Sequence, residues 1–333
     1  MKGFVTIFFA ILVFTLITPI FALAQLNIDI ISALPSELGV EVIPDYPKPN
    51  SVVFVNLAMY TEDLDSAEIA WYLNGKVALQ GKGAKQFSFR TGKVGVESKI
   101  EIRIKLKSGV TFSRNFSIIP ASVDILWEAD SYVPPFYQGK ALHPKQGRLK
   151  LAAMPEFVKN GKRIPPSDLI YKWSNGLDVY ESQSGYGKNV VIIDGALLGT
   201  TERISVLVTD PINNLVAQGF VDISTVNPEI VFYKRDPYYG FLFEQSLKNK
   251  VVLDQDEIEV VVSPYYITKE REGLLQYNWR LNGTNAPELS RSKNVVFRRP
   301  EEEGRSLITV EVENLARLLQ ITDSNLVVEF KDN

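Results

Sequence analysis

Acid–base and nucleophilic chemistry would have to draw on a narrow set of side chains in this sequence. His143 is the only histidine and cysteine is absent, so a triad could be built only around His143 and a cysteine nucleophile is excluded. No Gly-x-Ser-x-Gly elbow is present. His143 stands beside Pro144 and Lys145 in a polar stretch, which predicts a surface position rather than a general base. Spacing along a chain with 39 acidic residues selects no glycosidase pair, so we expect no enzymatic activity.

Metal and phosphate sites are also poorly supported by the residue types. Thiolate and histidine-cluster metal centres are excluded by the absence of cysteine and the single histidine. Two acidic groups, residues 62–65 and 254–257, carry oxygens of the kind that Ca²⁺ binds, but neither has a full ligand spacing. We interpret both as solvated loops, which leaves Ca²⁺ as a weakly supported ion and no other cofactor. Residues 81–83 and 185–187 are glycine pairs without a following helix pattern, so they indicate turns rather than phosphate-binding loops.

Three of the four tryptophans lie in one recurring motif. Trp71, Trp173 and Trp279 each end an apolar run and are followed within three residues by Asn-Gly. The spacing of roughly 100 residues between copies is the length of a small domain, so the motif indicates tandem domains. Exposed tryptophans can stack on sugars, but a ring at the same place in three domains is typical of a core. We therefore predict that these three rings are structural.

A second aromatic group follows the predicted domain junctions and suits contact surfaces. Rigid tyrosine, phenylalanine and proline side chains add contact area at low entropic cost. They could pack between neighbouring domains or form an exposed partner-binding face, and the sequence leaves both open. The residues of this predicted interaction or interdomain face are Trp127, Tyr132, Phe136, Tyr137, Tyr238, Tyr239 and Phe241.

The elements that position these residues are predicted to be strands. Alternation of apolar and polar residues is clean over 100–106, 204–208 and 308–312, each after a glycine, and it marks strands with one buried face. Asn-Gly after each tryptophan motif favours positive φ and predicts a tight hairpin turn. Residues 149–155 and 258–264 read as further strands that end at a proline. No long amphipathic helix is predicted after residue 25, so the fold class is all-β.

The pattern resembles immunoglobulin-like β-sandwiches, with an inward tryptophan on the third strand and an alternating sixth strand led by glycine. Val206-Leu207-Val208-Thr209-Asp210 is similar to the penultimate strand of polycystic-kidney-disease (PKD) repeats. The Gly-Asp-Gly turn of that family is replaced here by Asn-Gly, so the match is PKD-like only. The segments Trp-Asn-Gly and Tyr-Val-Pro-Pro-Phe-Tyr also resemble uncharacterised exported proteins of candidate-phylum bacteria. These resemblances imply three tandem sandwiches and say almost nothing about activity.

The first 24 residues have the pattern of an export signal. A single charge at Lys2 precedes an apolar run, and Ala22-Leu23-Ala24 supplies small residues for cleavage before Gln25. The alternative is an uncleaved anchor, because the run is long enough to span a bilayer. The predicted domains are residues 25–120, 121–226 and 227–333, joined without flexible linkers.

The function predicted from these features is that of an exported, non-enzymatic rod at the cell surface or in the envelope. It would act as a spacer, adhesion or protein-interaction module, with a protein or an envelope component as its partner. A net charge of −3 excludes a broad nucleic-acid footprint, and the membrane would be reached only through an uncleaved N-terminal segment. Two alternatives remain, namely a subunit of an envelope-spanning assembly such as a pilus or secretion apparatus, and a carbohydrate-binding module or glycan-acting enzyme component.

Overall fold

The computed structural model describes residues 38–176, 178–253, 255–269 and 273–330. The predicted signal or anchor segment, residues 1–24, and the acidic residue Asp254 lie outside the described residues. The described chain forms three tandem immunoglobulin-like β-sandwiches, which confirms the all-β fold class. None of its helical segments has the length and apolar character needed to cross a bilayer.

The first sandwich consists of seven antiparallel strands. Its two sheets have the orders β1-β2-β5 and β4-β3-β6-β7. The strands are β1 (Leu38–Ile43), β2 (Val52–Met59), β3 (Glu68–Leu73), β4 (Lys76–Lys82), β5 (Gln86–Arg90), β6 (Ser98–Lys105) and β7 (Thr111–Ile118).

The second sandwich has sheets β15-β10-β8 and β14-β13-β16-β17-β9, with a small separate hairpin β11-β12. Strand β9 runs parallel to β17. The strands are β8 (Ser122–Ala129), β9 (His143–Pro144), β10 (Arg148–Glu156), β11 (Val158–Lys159), β12 (Lys162–Arg163), β13 (Ile170–Ser174), β14 (Gly185–Tyr186), β15 (Val190–Asp194), β16 (Thr201–Asp210) and β17 (Leu215–Val226). Two 3₁₀ turns cover Pro166–Asp168 and Glu181–Gln183.

The third sandwich has sheets β19-β18-β21-β24 and β20-β26-β25-β22-β23. Its strands are β18 (Glu229–Asp236), β19 (Gly240–Leu247), β20 (Lys250–Leu253), β21 (Glu257–Tyr265), β22 (Leu275–Leu281), β23 (Thr284–Asn285), β24 (Asn294–Arg298), β25 (Gly304–Asn314) and β26 (Ile321–Phe330). One 3₁₀ turn covers Pro287–Leu289.

Each sandwich is filled by its own apolar core. Period-two alternation places Ile100, Ile102 and Ile104 of β6 between the two sheets, and β16 and β25 do the same in the other domains. The three clusters share no buried residue. Core packing therefore stabilises each sandwich separately, and the joints between sandwiches need contacts of their own.

The Asn-Gly turns differ among the three copies. Asn74 and Gly75, with φ of 53° and 79°, form a two-residue turn that pairs Leu73 with Lys76. Asn282 and Gly283 do the same in the third sandwich. In the second, Ser174 bridges Val179 across a wider loop in which the side chain of Asn175 accepts the backbone N–H of Asp178. The tight-turn prediction is thus confirmed in two copies and wrong in the second.

The first joint is short and closely packed. Strand β7 ends at Ile118 and β8 begins at Ser122, with Pro120 between them. Gly95 donates its backbone N–H to the carbonyl of Pro120 at 3.0 Å. Gly95 has φ +74°, and a Cβ there would lie 2.7 Å from the carbonyl oxygen of Val158. The loop before β6 therefore requires glycine in order to approach the second sandwich.

Candidate functional site

The tryptophans of the repeated motif lie inside the three sandwiches. Trp71 and Trp173 are fully buried and Trp279 almost so. Their Nε1–H groups donate to the backbone carbonyls of Ala84, Lys188 and Ser292 at 2.7–2.9 Å, each two residues before the strand that follows. With ring faces covered and the polar atom satisfied, none of the three offers a stacking surface to a sugar.

His143 is completely buried, so the prediction of a surface position was wrong. Strand β9, which carries His143, pairs with the end of β17. The imidazole ring packs against Gly147 and Gly195, and a Cβ atom on these glycines would lie 2.9 and 2.5 Å from the ring. Its Nε2 is 3.2 Å from Oε1 of Glu202, which also accepts the backbone N–H of Ala196. The ring therefore ties together two loops instead of facing a substrate.

Backbone pairing connects the second and third sandwiches. Tyr132 donates its N–H to the carbonyl of Ile267 at 2.9 Å and accepts the N–H of Tyr266 at 2.8 Å. Lys269 donates to the carbonyl of Asp130 at 3.0 Å. The segment after β8 thus adds as a short strand to the loop after β21, which continues hydrogen bonding from one domain into the next.

Gln320 of the third sandwich contributes side-chain hydrogen bonds to the same joint. Its side chain is fully buried and accepts the backbone N–H of Thr268 at 2.9 Å. It donates to the carbonyl of Lys145 at 2.7 Å and to the hydroxyl of Thr268 at 2.8 Å. A buried amide with all these partners fixes one geometry, because any shift would leave buried polar atoms unpaired.

The turn before Gln320 adds two further contacts to the second sandwich. Leu319 donates its N–H to Oε1 of Gln146 at 2.9 Å, and Arg317 lies 2.9 Å from the carboxylate of Asp194. The side chain of Arg317 is 13% exposed and that of Asp194 is 60% exposed, so solvent screens the carboxylate and the ion pair contributes little to stability. Sequence reasoning missed Gln320, Arg317 and Gln146, since a single amide or charge in a turn carries no recognisable pattern.

A cleft of about 720 Å³ opens beside the joint. It is lined by residues of β19, β21 and β22 in the third sandwich, and the segment 132–135 of the second sandwich forms part of its wall. Its aromatic lining includes Tyr132, Phe241, Phe243, Tyr265 and Tyr277. Arg291 and Lys293 place two cations at its border. This lining suits apolar and ring-stacking contacts.

Two tyrosines that line the cleft, Tyr265 and Tyr277, have a raised pKa. Tyr265 donates from its hydroxyl to that of Tyr233 at 3.2 Å, and the ring of Phe243 meets Tyr233 edge-on at 5.1 Å. Burial raises the pKa of Tyr277 to about 12 and raises that of Tyr265 further. Neither phenol exchanges a proton near neutral pH, so the pair supplies hydrogen bonds and packing but no general acid or base.

The structure divides the predicted aromatic face among three locations. Trp127 packs against the second core beneath Lys140, whose ammonium lies 3.5 Å from the ring centroid. Tyr132 and Phe241 line the joint cleft. Tyr137, five residues after Tyr132, is 42% exposed. Phe136, Tyr238 and Tyr239 are 93%, 93% and 85% exposed. The predicted group is therefore not one continuous face.

The acidic group at 62–65 has partners within the protein. The carboxylate of Asp63 accepts the backbone N–H of Asp65, and Asp65 pairs with Lys85 at 2.7 Å. Hydrogen bonding from Asp65 is the main cause that lowers the pKa of Asp63. Among residues 38–330 as described, no three histidine, aspartate or glutamate side chains converge as metal ligands would. The second acidic group includes Asp254, which lies outside the described residues.

Comparison with known proteins assigns neither a family nor an activity. No protein-family model matches the chain, and no curated protein matches its sequence. The three N-terminal domains of the bacteriophage RB49 highly immunogenic outer capsid protein are 10% identical with a TM-score of 0.26, over 89% of this chain and 99% of that one. The central fibronectin-III array of RIM-binding protein is 12% identical with a TM-score of 0.29, over 90% and 98%. At these values neither likeness carries an argument about this chain.

Proposed function

We propose that this chain is an exported, non-enzymatic spacer whose three sandwiches hold an interaction surface at a fixed distance from its N-terminal end. Export is supported by the signal pattern of residues 1–24. A purely structural role is supported by the three filled cores. Its place of action is the cell surface or envelope, and its partner is a protein or an envelope component.

The observation that carries this proposal is the hydrogen-bonded joint between the second and third sandwiches. Domains linked by flexible chain reorient freely, whereas this joint has backbone pairing at Tyr132 and a buried amide at Gln320. A spacer needs such joints, because a defined separation between its ends is lost when a hinge bends.

The experiment is a distance measurement across the joint. The absence of cysteine allows spin labels at two introduced cysteines, Lys172→Cys and Lys248→Cys, both at exposed positions in different sandwiches. We expect a narrow distance distribution that broadens in Gln320→Ala, because this change leaves the carbonyl of Lys145 and the N–H of Thr268 unpaired. The matched control is Gln245→Ala, an exposed glutamine on β19 of the third sandwich, which leaves the distribution narrow. A broad distribution in the unaltered background would contradict the spacer function.

The joint cleft favours one second candidate, a carbohydrate-binding module. A sugar ring could stack on Tyr132 or Phe241, and the volume of about 720 Å³ is sufficient for a small ligand. Retention on immobilised polysaccharide that falls in Tyr132→Ala but not in Tyr186→Ala would favour this candidate. Absence of retention for the unaltered chain would remove it.

A further inference from the structure

Three Asn-Gly pairs of this chain occupy the same kind of two-residue hairpin turn. Asn74–Gly75, Asn160–Gly161 and Asn282–Gly283 have positive φ at both positions, between 51° and 84°. The residues on either side pair directly across each turn, as Lys159 does with Lys162. The backbone geometry and the local sequence are therefore matched, so a difference in reactivity among these asparagines must come from their surroundings.

The asparagine side chain is held in place at two of these turns. Oδ1 of Asn74 accepts the backbone N–H of Lys99 at 2.9 Å, and Oδ1 of Asn282 accepts that of Leu307 at 2.8 Å. These contacts tie the two carboxamides to a third strand, β6 or β25. The fourth Asn-Gly pair lies in the wider loop of the second sandwich, where Oδ1 of Asn175 accepts a backbone N–H in the same way. A carboxamide held like this must break a hydrogen bond before it can rotate.

Asn160 has no such anchor. Its side chain is exposed and makes no hydrogen bond with the part of the chain that the structure describes. Strands β11 and β12, which carry the turn, form a sheet of their own with two residues in each strand. A hairpin this short is marginally stable by itself, so the turn can open while the core stays intact. A Cβ on Gly161 would meet no atom within 4 Å, which leaves the backbone room to move.

Basic residues flank the Asn160 turn. Lys159 precedes the pair, and the exposed residues Lys162 and Arg163 follow it. Nearby positive charge favours the deprotonated form of an N–H group and any oxyanion that forms beside it. Since glycine carries no side chain that could obstruct an approach, the backbone nitrogen of Gly161 is a suitable nucleophile towards the carboxamide of Asn160.

We propose that Asn160 is the deamidation site of this chain and that its conversion alters the first joint. After solvent base removes its proton, the nitrogen of Gly161 bonds to Cγ of Asn160. The bond from Cγ to Nδ2 breaks, and ammonia leaves with a proton taken from water. Water then adds to one carbonyl carbon of the cyclic imide and breaks the bond from that carbon to nitrogen. Opening at Cγ gives aspartate, whereas opening at the backbone carbonyl gives isoaspartate, in which the main chain runs through the former side chain.

Isoaspartate alters the hairpin because it adds one methylene to the main chain. A two-residue turn with two positive φ angles is too tight for an extra backbone atom, so the pairing of Lys159 with Lys162 is lost. Val158, at the base of this hairpin, packs on Gly95 at the first joint, where a Cβ on the glycine would lie 2.7 Å from the carbonyl oxygen of Val158. The modification therefore acts on the first joint, and it goes beyond the spacer function, which rests on the second joint.

The first test is a peptide map of the unaltered full chain, incubated in mildly alkaline buffer and followed by mass spectrometry. Because a held carboxamide must first break a hydrogen bond, we expect Asn160 to convert on the order of tenfold faster than Asn74 and Asn282. In denaturant the anchors are absent and the rates should converge, since the fold rather than the sequence separates them. Conversion of Asn160 no faster than that of Asn74 in the folded chain would overturn the proposal.

The second test measures the first joint during the same incubation. Spin labels at Lys105→Cys and Lys172→Cys, exposed positions in the first and second sandwiches, report the distance across it. We expect the distance distribution to broaden as isoaspartate accumulates. The matched control is Asn160→Gly, because Gly-Gly also adopts this turn but carries no carboxamide, so its distribution stays unchanged. Equal broadening in the Asn160→Gly chain would overturn the proposed effect on the joint, as would a distribution that stays narrow after full conversion.

Discussion

Individual buried tyrosines and tryptophans fill the cores of the three sandwiches. Each motif tryptophan fills its core and satisfies its ring nitrogen on the backbone carbonyl that precedes the next strand. Tyr171 likewise donates its hydroxyl to the carbonyl of Pro166 at 3.0 Å. Buried polar atoms with such partners support a unique packing and take no part in proton transfer.

These buried phenols predict how stability depends on alkaline pH. Burial raises the pKa of Tyr171 and of Tyr277 from 10.0 to about 12. Because the folded-state pKa is the higher one, the stabilisation is complete below pH 10 and is lost as pH rises through about 12. We expect the free energy of unfolding to fall across this interval, together with a late phase of phenolate absorbance.

Tyrosine-to-phenylalanine variants identify the phenols that cause the late absorbance phase. Tyr277→Phe and Tyr171→Phe should each reduce its amplitude and flatten the fall in stability, whereas Tyr186→Phe, at an exposed site, should not. A spectrophotometric titration combined with denaturant melts at several pH values measures both effects. Unchanged late amplitude in the Tyr277→Phe chain would show that the phenol is not held neutral.

At the scale of elements, the sequence identified strands better than contacts between strands. Alternation over residues 100–106, 204–208 and 308–312 predicted β6, β16 and β25, because a sheet with one buried face imposes that period. His143 was mispredicted because its polar neighbours indicate solvent, whereas β9 is recruited by parallel pairing with the distant β17. Gln320 was invisible for the same reason, since its partners Thr268 and Lys145 are remote in sequence.

The loop before β6 gives a prediction about the first joint. Gly95→Ala must introduce a Cβ at positive φ and also 2.7 Å from the carbonyl oxygen of Val158. Gly109→Ala, at φ +88° with open space around it, has only the backbone cost of about 1–2 kcal/mol. We therefore expect Gly95→Ala to lower the free energy of unfolding by more than Gly109→Ala in denaturant melts. Equal losses would mean that the approach to Val158 is not required.

At the scale of the whole molecule, the two joints differ in how they transmit stability. The cores are separate, so each sandwich can unfold alone. Two sandwiches unfold together only if the loss of one breaks joint contacts that stabilise the other. The second joint combines backbone pairing, a buried amide and an ion pair. Loss of the third sandwich would leave the carbonyl of Lys145 and the carboxylate of Asp194 without these partners, next to the buried pair of His143 and Glu202.

This coupling predicts that the second and third sandwiches unfold together. In calorimetry of the full chain, their joint transition should have an enthalpy near that of a 200-residue unit, about 140 kcal/mol from the average per-residue value. Gln320→Ala should split it into two transitions, each with a smaller enthalpy, because the amide that links Thr268 to Lys145 is gone. Gln245→Ala, the exposed control, should leave one transition. Three independent transitions in the unaltered chain would show that the joint transmits no stability, and the fixed separation that the spacer requires would then have to arise elsewhere.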